Sequence, residues 1–409
     1  MRYEHTPKLK RNVTLTMLIF YGLGNIFGAG IYVLIGEIAG IAGIYLPLSF
    51  LLACIVVFFT ALTYAELSSR FPQSAGVAVY INAGFNSPHL STLVGLTIAL
   101  SGLLSAATLL DGFQSYLSMF IQVPESITTL VTVMLISGIA IWGISQSIMI
   151  TALLTLIETF GLFMVIFVGF GDISWDMQTF RSFVPPMDLA LVSTVILGAF
   201  LAFYAFIGFE DMVNIAEEVK DPTHTMPKAI LITLAIATFV YIIVALVSIS
   251  VISVEELAGS SAPLAKVYET ATHSQATTLG IIALFAVING ALVQIIMASR
   301  IFYGMSTHGW IPGFLSIVHP KTHTPVNATI LAGTIVFLLS TYFPIVTLAQ
   351  SSSFLIFIIF TLVNTSLLII KRRDPHPKNI RTYPMMVPVT AIALNLILLG
   401  FQIVSGFGT

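Results

Sequence analysis

The chain has 409 residues, 57% of them hydrophobic and only 8% charged, where an ordinary soluble protein has about a quarter charged. That composition excludes a water-soluble surface, and 16 basic against 18 acidic residues offer nucleic acid no electrostatic footprint. Cys54 is the single cysteine, so an internal disulfide and a thiolate metal cluster are excluded.

In chain order, Lys8, Lys10 and Arg11 come first and an apolar stretch from about 13 to 40 follows. It is far longer than the apolar region of a signal peptide and is expected to be a retained first span. Further apolar runs lie near 45–69, 90–120, 124–142, 147–171, 189–216, 228–252, 276–304, 325–342, 345–370 and 385–405. Each suits a helix across a hydrocarbon core of about 30 Å. The expectation is an all-α membrane protein of about eleven transmembrane helices with no soluble domain. A cytoplasmic N-terminus puts fourteen of the sixteen Lys and Arg in inner loops, leaving only Arg181 and Lys266 outside. That is the bias of the positive-inside rule, and it points to a multi-pass protein of the cell (plasma or inner) membrane. The stretch 71–85, with Pro72, Gly76 and Gly84, is too short and broken to span and is expected to be re-entrant or interfacial.

Two spans carry signs of interruption. The first holds Gly22, Gly24, Gly28 and Gly30, and as one straight helix it would overshoot the hydrocarbon. A break near Gly28-Ala29-Gly30 resolves both facts, while a close helix contact at Gly24 and Gly28 is the plainer reading. The sixth is interrupted by Gly208 within Phe203-Tyr204-Ala205-Phe206-Ile207-Gly208-Phe209-Glu210. Breaks at matching positions point to two inverted repeats, 1–171 and 189–370, with 385–405 as an additional helix and a substrate held at the midplane. The amide groups starting a half-helix attract a carboxylate and the freed carbonyls attract an ammonium. Candidates are Ala29, Gly30 and Ile31 for the carboxylate, and the carbonyls of Ile26, Tyr204 and Ile207 for the amine.

Four segments carry a family resemblance. They are Gly24-Asn25-Ile26-Phe27-Gly28-Ala29-Gly30-Ile31-Tyr32; Tyr64-Ala65-Glu66-Leu67 with Phe71-Pro72 and Gly76; Ala205-Phe206-Ile207-Gly208-Phe209-Glu210 followed by Ala216-Glu217-Glu218-Val219-Lys220-Asp221-Pro222 and Pro227; and Ser299-Arg300-Ile301-Phe302-Tyr303-Gly304-Met305 with Gly309, Pro312 and Thr324-Pro325. In this order and spacing the chain resembles the amino acid-polyamine-organocation transporters over nearly its whole length. The resemblance implies the leucine-transporter fold, with 5+5 inverted repeats and helices 1 and 6 unwound, and secondary transport of amino acids, often coupled to protons. Such proteins commonly have twelve spans, and this chain stops after eleven.

Carboxylates at bilayer depth are costly and usually functional. Glu158, central in span five, has no ionisable neighbour within ten residues and is a candidate proton site; a structural acid bonded to a backbone carbonyl is the competing role. In similar proton-coupled transporters a lysine occupies about this place, and sodium-coupled relatives bind an ion there. Glu210 stands at the family's acidic position and, with Asp211, is expected to gate, to relay a proton or to cap the second half-helix. Asp111 faces either the cavity or a neighbouring hydroxyl. Glu66 and Glu37, near span ends, are expected to be interfacial. Tyr204, Phe206 and Phe209 are candidates for a hydrophobic gate over a bound side chain. Asn25 and Asn289 are expected to bond between helices, and Glu217, Glu218 and Lys220 to end span six or to close an inner gate by an ion pair with Arg70 or Arg300.

A membrane enzyme is the first rival class. All eight histidines fall outside or at the ends of the spans, and neither HExxH nor GxSxG is present. A channel and a non-transporting sensor form the second, and paired broken helices argue against both. Symport and exchange stay open. The expected partners are an amino acid, a proton and membrane lipid, with no cofactor, no metal and no nucleic acid. The candidate site shows no clear excess of acidic residues, which favours neutral over cationic substrates.

Overall fold

A computed structural model describes residues 9, 11–27, 29–118, 120–173, 188–260, 262–342 and 345–406, with the backbone alone at 29–30, 33, 111–112, 115–116, 118, 125, 189–190, 345–354 and 402–406. Gly28 and Arg181 lie outside the described residues. The described chain is helical almost throughout. Among the described residues, seven helices are long and apolar enough to cross a membrane, and five shorter apolar helices accompany them.

The first apolar stretch is helical over α1 (Leu15–Phe27) and α2 (Ala29–Ala42), residue 28 between them lying outside the described residues. The next three are α3 (Leu46–Arg70), α4 (Gly76–Phe85) and α5 (Pro88–Ser118), and then α6 (Glu125–Trp142) and α7 (Ile144–Gly169). The sixth stretch forms α8 (Leu189–Tyr204), a turn over 205–208 and a 3-10 segment, Phe209–Glu218. A 3-10 run of ten residues is unusual, because its hydrogen bonds are poorer than those of an α-helix. Beyond it come α9 (Pro222–Val251), α10 (Val254–Ala258), α11 (Pro263–Thr272), α12 (Thr277–Thr307), α13 (Val326–Tyr342), α14 (Ile345–Arg373) and α15 (Met386–Gly406).

Helix α1 and the interrupted sixth stretch lie innermost. Helix α1 packs on α7, α9 and α12, and the 3-10 segment touches α1, α3, α4, α9 and α12. Large apolar side chains cover the outside instead, among them Phe167 at 85% exposed and Met149 at 66%, as a lipid-facing surface requires. The short stretch near 71–85 becomes α4, whose residues from Gly76 to Ile81 are buried, so it serves as an internal wedge.

Why the sixth stretch breaks is visible in its backbone. From Ala205 to Ile207 the amides bond three residues back, and Gly208 then takes φ +128°, a conformation that L side chains rarely adopt. A Cβ there would also lie 2.6 Å from the Asn25 Nδ2, so only glycine permits the approach. The Tyr241 hydroxyl, on α9, donates to the Ile26 carbonyl at the end of α1 (2.5 Å) and to Ala205 past the end of α8 (3.0 Å). Its ring packs on Phe27, Phe50 and Phe206. One hydroxyl thus bridges α1 to the turn that follows α8.

Tyr241→Phe keeps the packing and deprives both carbonyls of their donor, an expected cost of about 1–3 kcal/mol. Thermal unfolding of the purified variant in detergent checks this, and an unchanged midpoint would refute the bridging role.

Candidate functional site

At the break of the sixth stretch, three amide or carboxylate side chains from three elements form a closed ring. Asn25 of α1 donates through Nδ2 to the Gly208 carbonyl (3.0 Å) and to Asp211 Oδ2 (2.7 Å). Gln294 of α12 donates through Nε2 to the same Asp211 oxygen (3.0 Å) and to Asn25 Oδ1 (3.1 Å). Glu210 turns back on the break, where its Oε2 accepts the Gly208 N–H at 2.8 Å. The acid next to the glycine therefore stabilises the unwound turn.

This ring borders a cavity of about 20 Å³, lined by Ile98, Ser101, Gly102 and Ser105 of α5, Tyr204, Ile207, Glu210 and Asp211, Gln294 and Met297 of α12, and Ile356 of α14. That is room for one water molecule and far short of an amino acid, so admitting a substrate requires these walls to part. Gly102 leaves room on this wall, where a Cβ would displace the ends of the Met297 and Gln294 side chains.

Glu158 lies in a second polar cluster. Its Oε1 accepts from Asn289 Nδ2 at 2.6 Å, and its Oε2 has no protein partner. Asn289 also donates to Thr155 Oγ1 (3.1 Å), and Thr155 donates to the Phe20 carbonyl of α1 (3.2 Å). The Tyr32 hydroxyl of α2 bonds the Glu158 carbonyl at 2.6 Å. Gly24 lets α1 come this close, because a Cβ there would collide with Thr155 and Asn289. The cluster therefore touches both halves of the first stretch.

The far end of the 3-10 segment holds a buried ion pair. Arg300 Nε and Glu218 Oε1 are 2.9 Å apart with both side chains fully buried. Val13 pairs with Val219 beside it, through Val13 N–H to the Glu218 carbonyl (3.0 Å) and Lys220 N–H to the Val13 carbonyl (2.9 Å). Arg70 is engaged elsewhere. It binds Glu66 at 2.8 Å and Asp374 at 3.3 Å, while Lys371 holds Glu66 at 2.6 Å and the Tyr383 N–H donates to Glu66 at 2.9 Å. Glu66 is completely buried, contrary to its expected interfacial place, because α14 delivers a cation to it.

Of the sequence candidates, Tyr204, Ile207 and Glu210 line the cavity and Gly208 supplies the break. Helix α2 is described from Ala29 onward, next to Gly28, which lies outside the described residues; the side chains of Ala29 and Gly30 lie outside them too, and Ile31 is buried. The Ile26 carbonyl already accepts Tyr241. Phe206 and Phe209 are not brought to the cavity: the tightened turn sends Phe206 against Phe50 and Phe209 against Tyr64 and Phe360. The side chain of Asp111 lies outside the described residues. Asn25 and Asn289 bond between helices as expected. Asp211, a candidate together with Glu210, also lines the cavity; missed from sequence were Gln294, Ser101, Ser105 and Met297.

Apolar helices long enough to cross a membrane enclose a polar cavity at the break of the sixth stretch. Among solved structures, the substrate-bound outward-open form of a Na+-coupled sialic acid symporter is similar with a TM-score of 0.63 at 12% identity, over 96% of this chain and 90% of that one. The architecture is the leucine-transporter fold. The family model for amino acid permeases matches residues 13–408. The branched-chain amino acid permease BcaP of Bacillus subtilis (strain 168) is 30% identical over 391 residues, 90% of this chain and 82% of that protein. The mitochondrial cationic amino acid transporter 3 of Arabidopsis thaliana is 27% identical over 395 residues, 90% of this chain and 64% of that protein. The chain belongs to the amino acid permease family. It is a multi-pass membrane transporter of amino acids and not an enzyme.

Arg300→Met strands Glu218 as a buried unpaired charge, a loss of roughly 3–5 kcal/mol. The double variant Glu218→Leu with Arg300→Met is expected to recover most of it, since well-packed apolar replacements of a buried pair are often neutral. Thermal midpoints of the two proteins check this; a double variant no more stable than the single one would refute it.

Proposed function

We propose that the protein is a secondary active carrier that moves amino acids across the cell membrane by alternating access, with a proton as the coupling ion. The observation that carries this reading is the tie between the first stretch and the break of the sixth at a polar cavity, through Asn25, Gly208 and Asp211. Broken helices at membrane depth place main-chain dipoles where a zwitterion can use them. In this reading the first-turn amides at Ala29, Gly30 and Ile31 hold the substrate carboxylate, and the carbonyls of Tyr204 and Ile207 hold its ammonium. Residues 1–171 and 189–370 are the inverted repeats, and 385–405 is the additional helix. The relatives' names include both branched-chain and cationic substrates, so the choice of side chain belongs to the cavity.

A cytoplasmic N-terminus puts Glu218 and Arg300 at the inner end of the path. There the ion pair and the Val13–Val219 bridge shut the route, and inward opening requires both to part. Glu158 is the proton site of this reading. Its carboxylate is joined to α1 through Asn289 and Thr155, so a change in its charge acts on the first stretch.

Purified protein in liposomes is expected to accumulate at least one amino acid under an imposed pH gradient, and Glu158→Gln to abolish that accumulation while leaving downhill exchange. Accumulation driven by sodium alone, or coupling untouched in the variant, would remove the proton assignment. Absence of flux for every amino acid and amine would remove the carrier reading.

A further inference from the structure

We infer that the loop joining α14 to α15 is a docking site for an anionic phospholipid, whose phosphate headgroup it receives among Arg372, Arg373, Lys378 and Arg381. The surface lies apart from the cavity and is independent of which substrate is carried.

Five of the chain's sixteen Lys and Arg fall within residues 371–381, with Asp374 as the one acid among them. The structure sorts these charges into paired and unpaired. Lys371 is buried and holds Glu66 at 2.6 Å, and Arg70 takes Asp374 at 3.3 Å. Arg372, Arg373, Lys378 and Arg381 are all exposed. Arg373 reaches the Ala83 carbonyl of α4 at 3.3 Å, and Arg381 lies over the Tyr383 ring at 5.7 Å, so both partners are neutral. The side chains of Arg372 and Lys378 have no partner among the described residues. Four positive charges therefore face outward with no carboxylate to meet them.

These cations do not sit on a free tail. Glu66 accepts from Lys371 Nζ at one end of the loop and from the Tyr383 N–H, at 2.9 Å, at the other. One buried carboxylate thus closes the loop at its base, and Arg70 grips it again at Asp374. Donors held in place beforehand lose less freedom on binding, and the guanidinium forks of three arginines match phosphate oxygens.

What adjoins the cations identifies the occupant as a lipid. The loop connects the ends of two apolar helices, which places it where hydrocarbon gives way to headgroups. Met385 and Met386 follow the cations at 41% and 68% exposed, and Val389 on the next turn of α15 is 43% exposed. A phospholipid held by its headgroup lays its acyl chains along that apolar edge, of which a soluble phosphate or an acidic peptide makes no use. Cations clustered directly beside a membrane-spanning helix attract anionic lipid in general; here the buried clasp gives them a fixed arrangement.

The test is native mass spectrometry of the purified protein titrated with phosphatidylglycerol and with phosphatidylcholine, alongside thermal midpoints in detergent with each lipid. Phosphatidylglycerol is expected to be retained at least about tenfold more tightly and to raise the midpoint, four cations acting together. The variant with Arg372→Gln, Arg373→Gln, Lys378→Gln and Arg381→Gln is expected to lose this preference. A control with Lys228→Gln and Lys321→Gln, exposed cations on other loops, is expected to keep it. Arg372→Gln with Lys378→Gln alone removes the two side chains that have no protein partner, so it tests the site without disturbing the loop, and a weakening of threefold or more is expected. Equal retention of the two lipids by the native protein, or an unchanged preference in both loop variants, overturns the inference. A control that loses as much as the fourfold variant also overturns it, since general surface charge then suffices. Stabilisation by inorganic phosphate or by a polyglutamate peptide equal to that by phosphatidylglycerol overturns the assignment to a lipid.

Discussion

A helix that stops among apolar side chains leaves main-chain groups that nothing outside the protein will bond. At residues 205–208 this constraint is met from three directions. Tyr241 of α9 supplies a hydroxyl to Ala205, Asn25 of α1 supplies an amide to the Gly208 carbonyl, and Glu210 accepts the Gly208 N–H. Tyr241 and Asn25 belong to other elements, so satisfying one turn ties α1 and α9 to it. The break is therefore the place where the bundle is joined, and a polar cavity exists beside it because polar side chains had to be brought there.

The same logic extends along the 3-10 segment. It is fastened to α12 at both ends, by Asp211 to Gln294 near the cavity and by Glu218 to Arg300 at the other extreme. Between these ties lie apolar side chains such as Met212, Val213 and Ile215, all buried. A segment held this way cannot leave α12 at one end only without straining the other. Under the proposed cycle, events in the cavity and at the inner end are then coupled through one rigid element, with no longer chain of contacts required.

How much of this was legible follows from which signals are local. The apolar stretches stood out because hydrophobic length is a local property, and Gly208 stood out because it sits inside one of them. The facing of α12 was not legible. Its residues from Asn289 to Ser306 are buried almost without interruption, and a helix apolar and buried on all sides has no polar stripe to orient it. Arg300 was marked only by the family resemblance and a possible acidic partner, and Gln294 had no such mark. Glu66 failed for a different reason: its partner Lys371 lies 305 residues away, and nothing near Glu66 in sequence announces it. Tyr241 is one of 13 tyrosines, and only the meeting of two helix ends distinguishes it.

The buried charges differ in how completely they are satisfied, and the difference falls where the proposed cycle needs it. Glu66 accepts from Arg70, Lys371 and the Tyr383 N–H, using both oxygens. A network completed in that way rigidifies, and it joins α3 to α14, elements the cycle can keep together. Glu218 Oε2, Arg300 Nη2, Gln294 Oε1 and Glu158 Oε2 each lack a protein partner. An incompletely bonded buried pair regains less from the protein than it lost in leaving water, so separating and hydrating it costs less than breaking the Glu66 cluster. The weak joins all border the 3-10 segment or α1, and the strong one lies outside them. A carrier must have some contacts that part on every cycle and others that never do, and the degree of hydrogen-bond satisfaction sorts this protein's buried charges into those two groups.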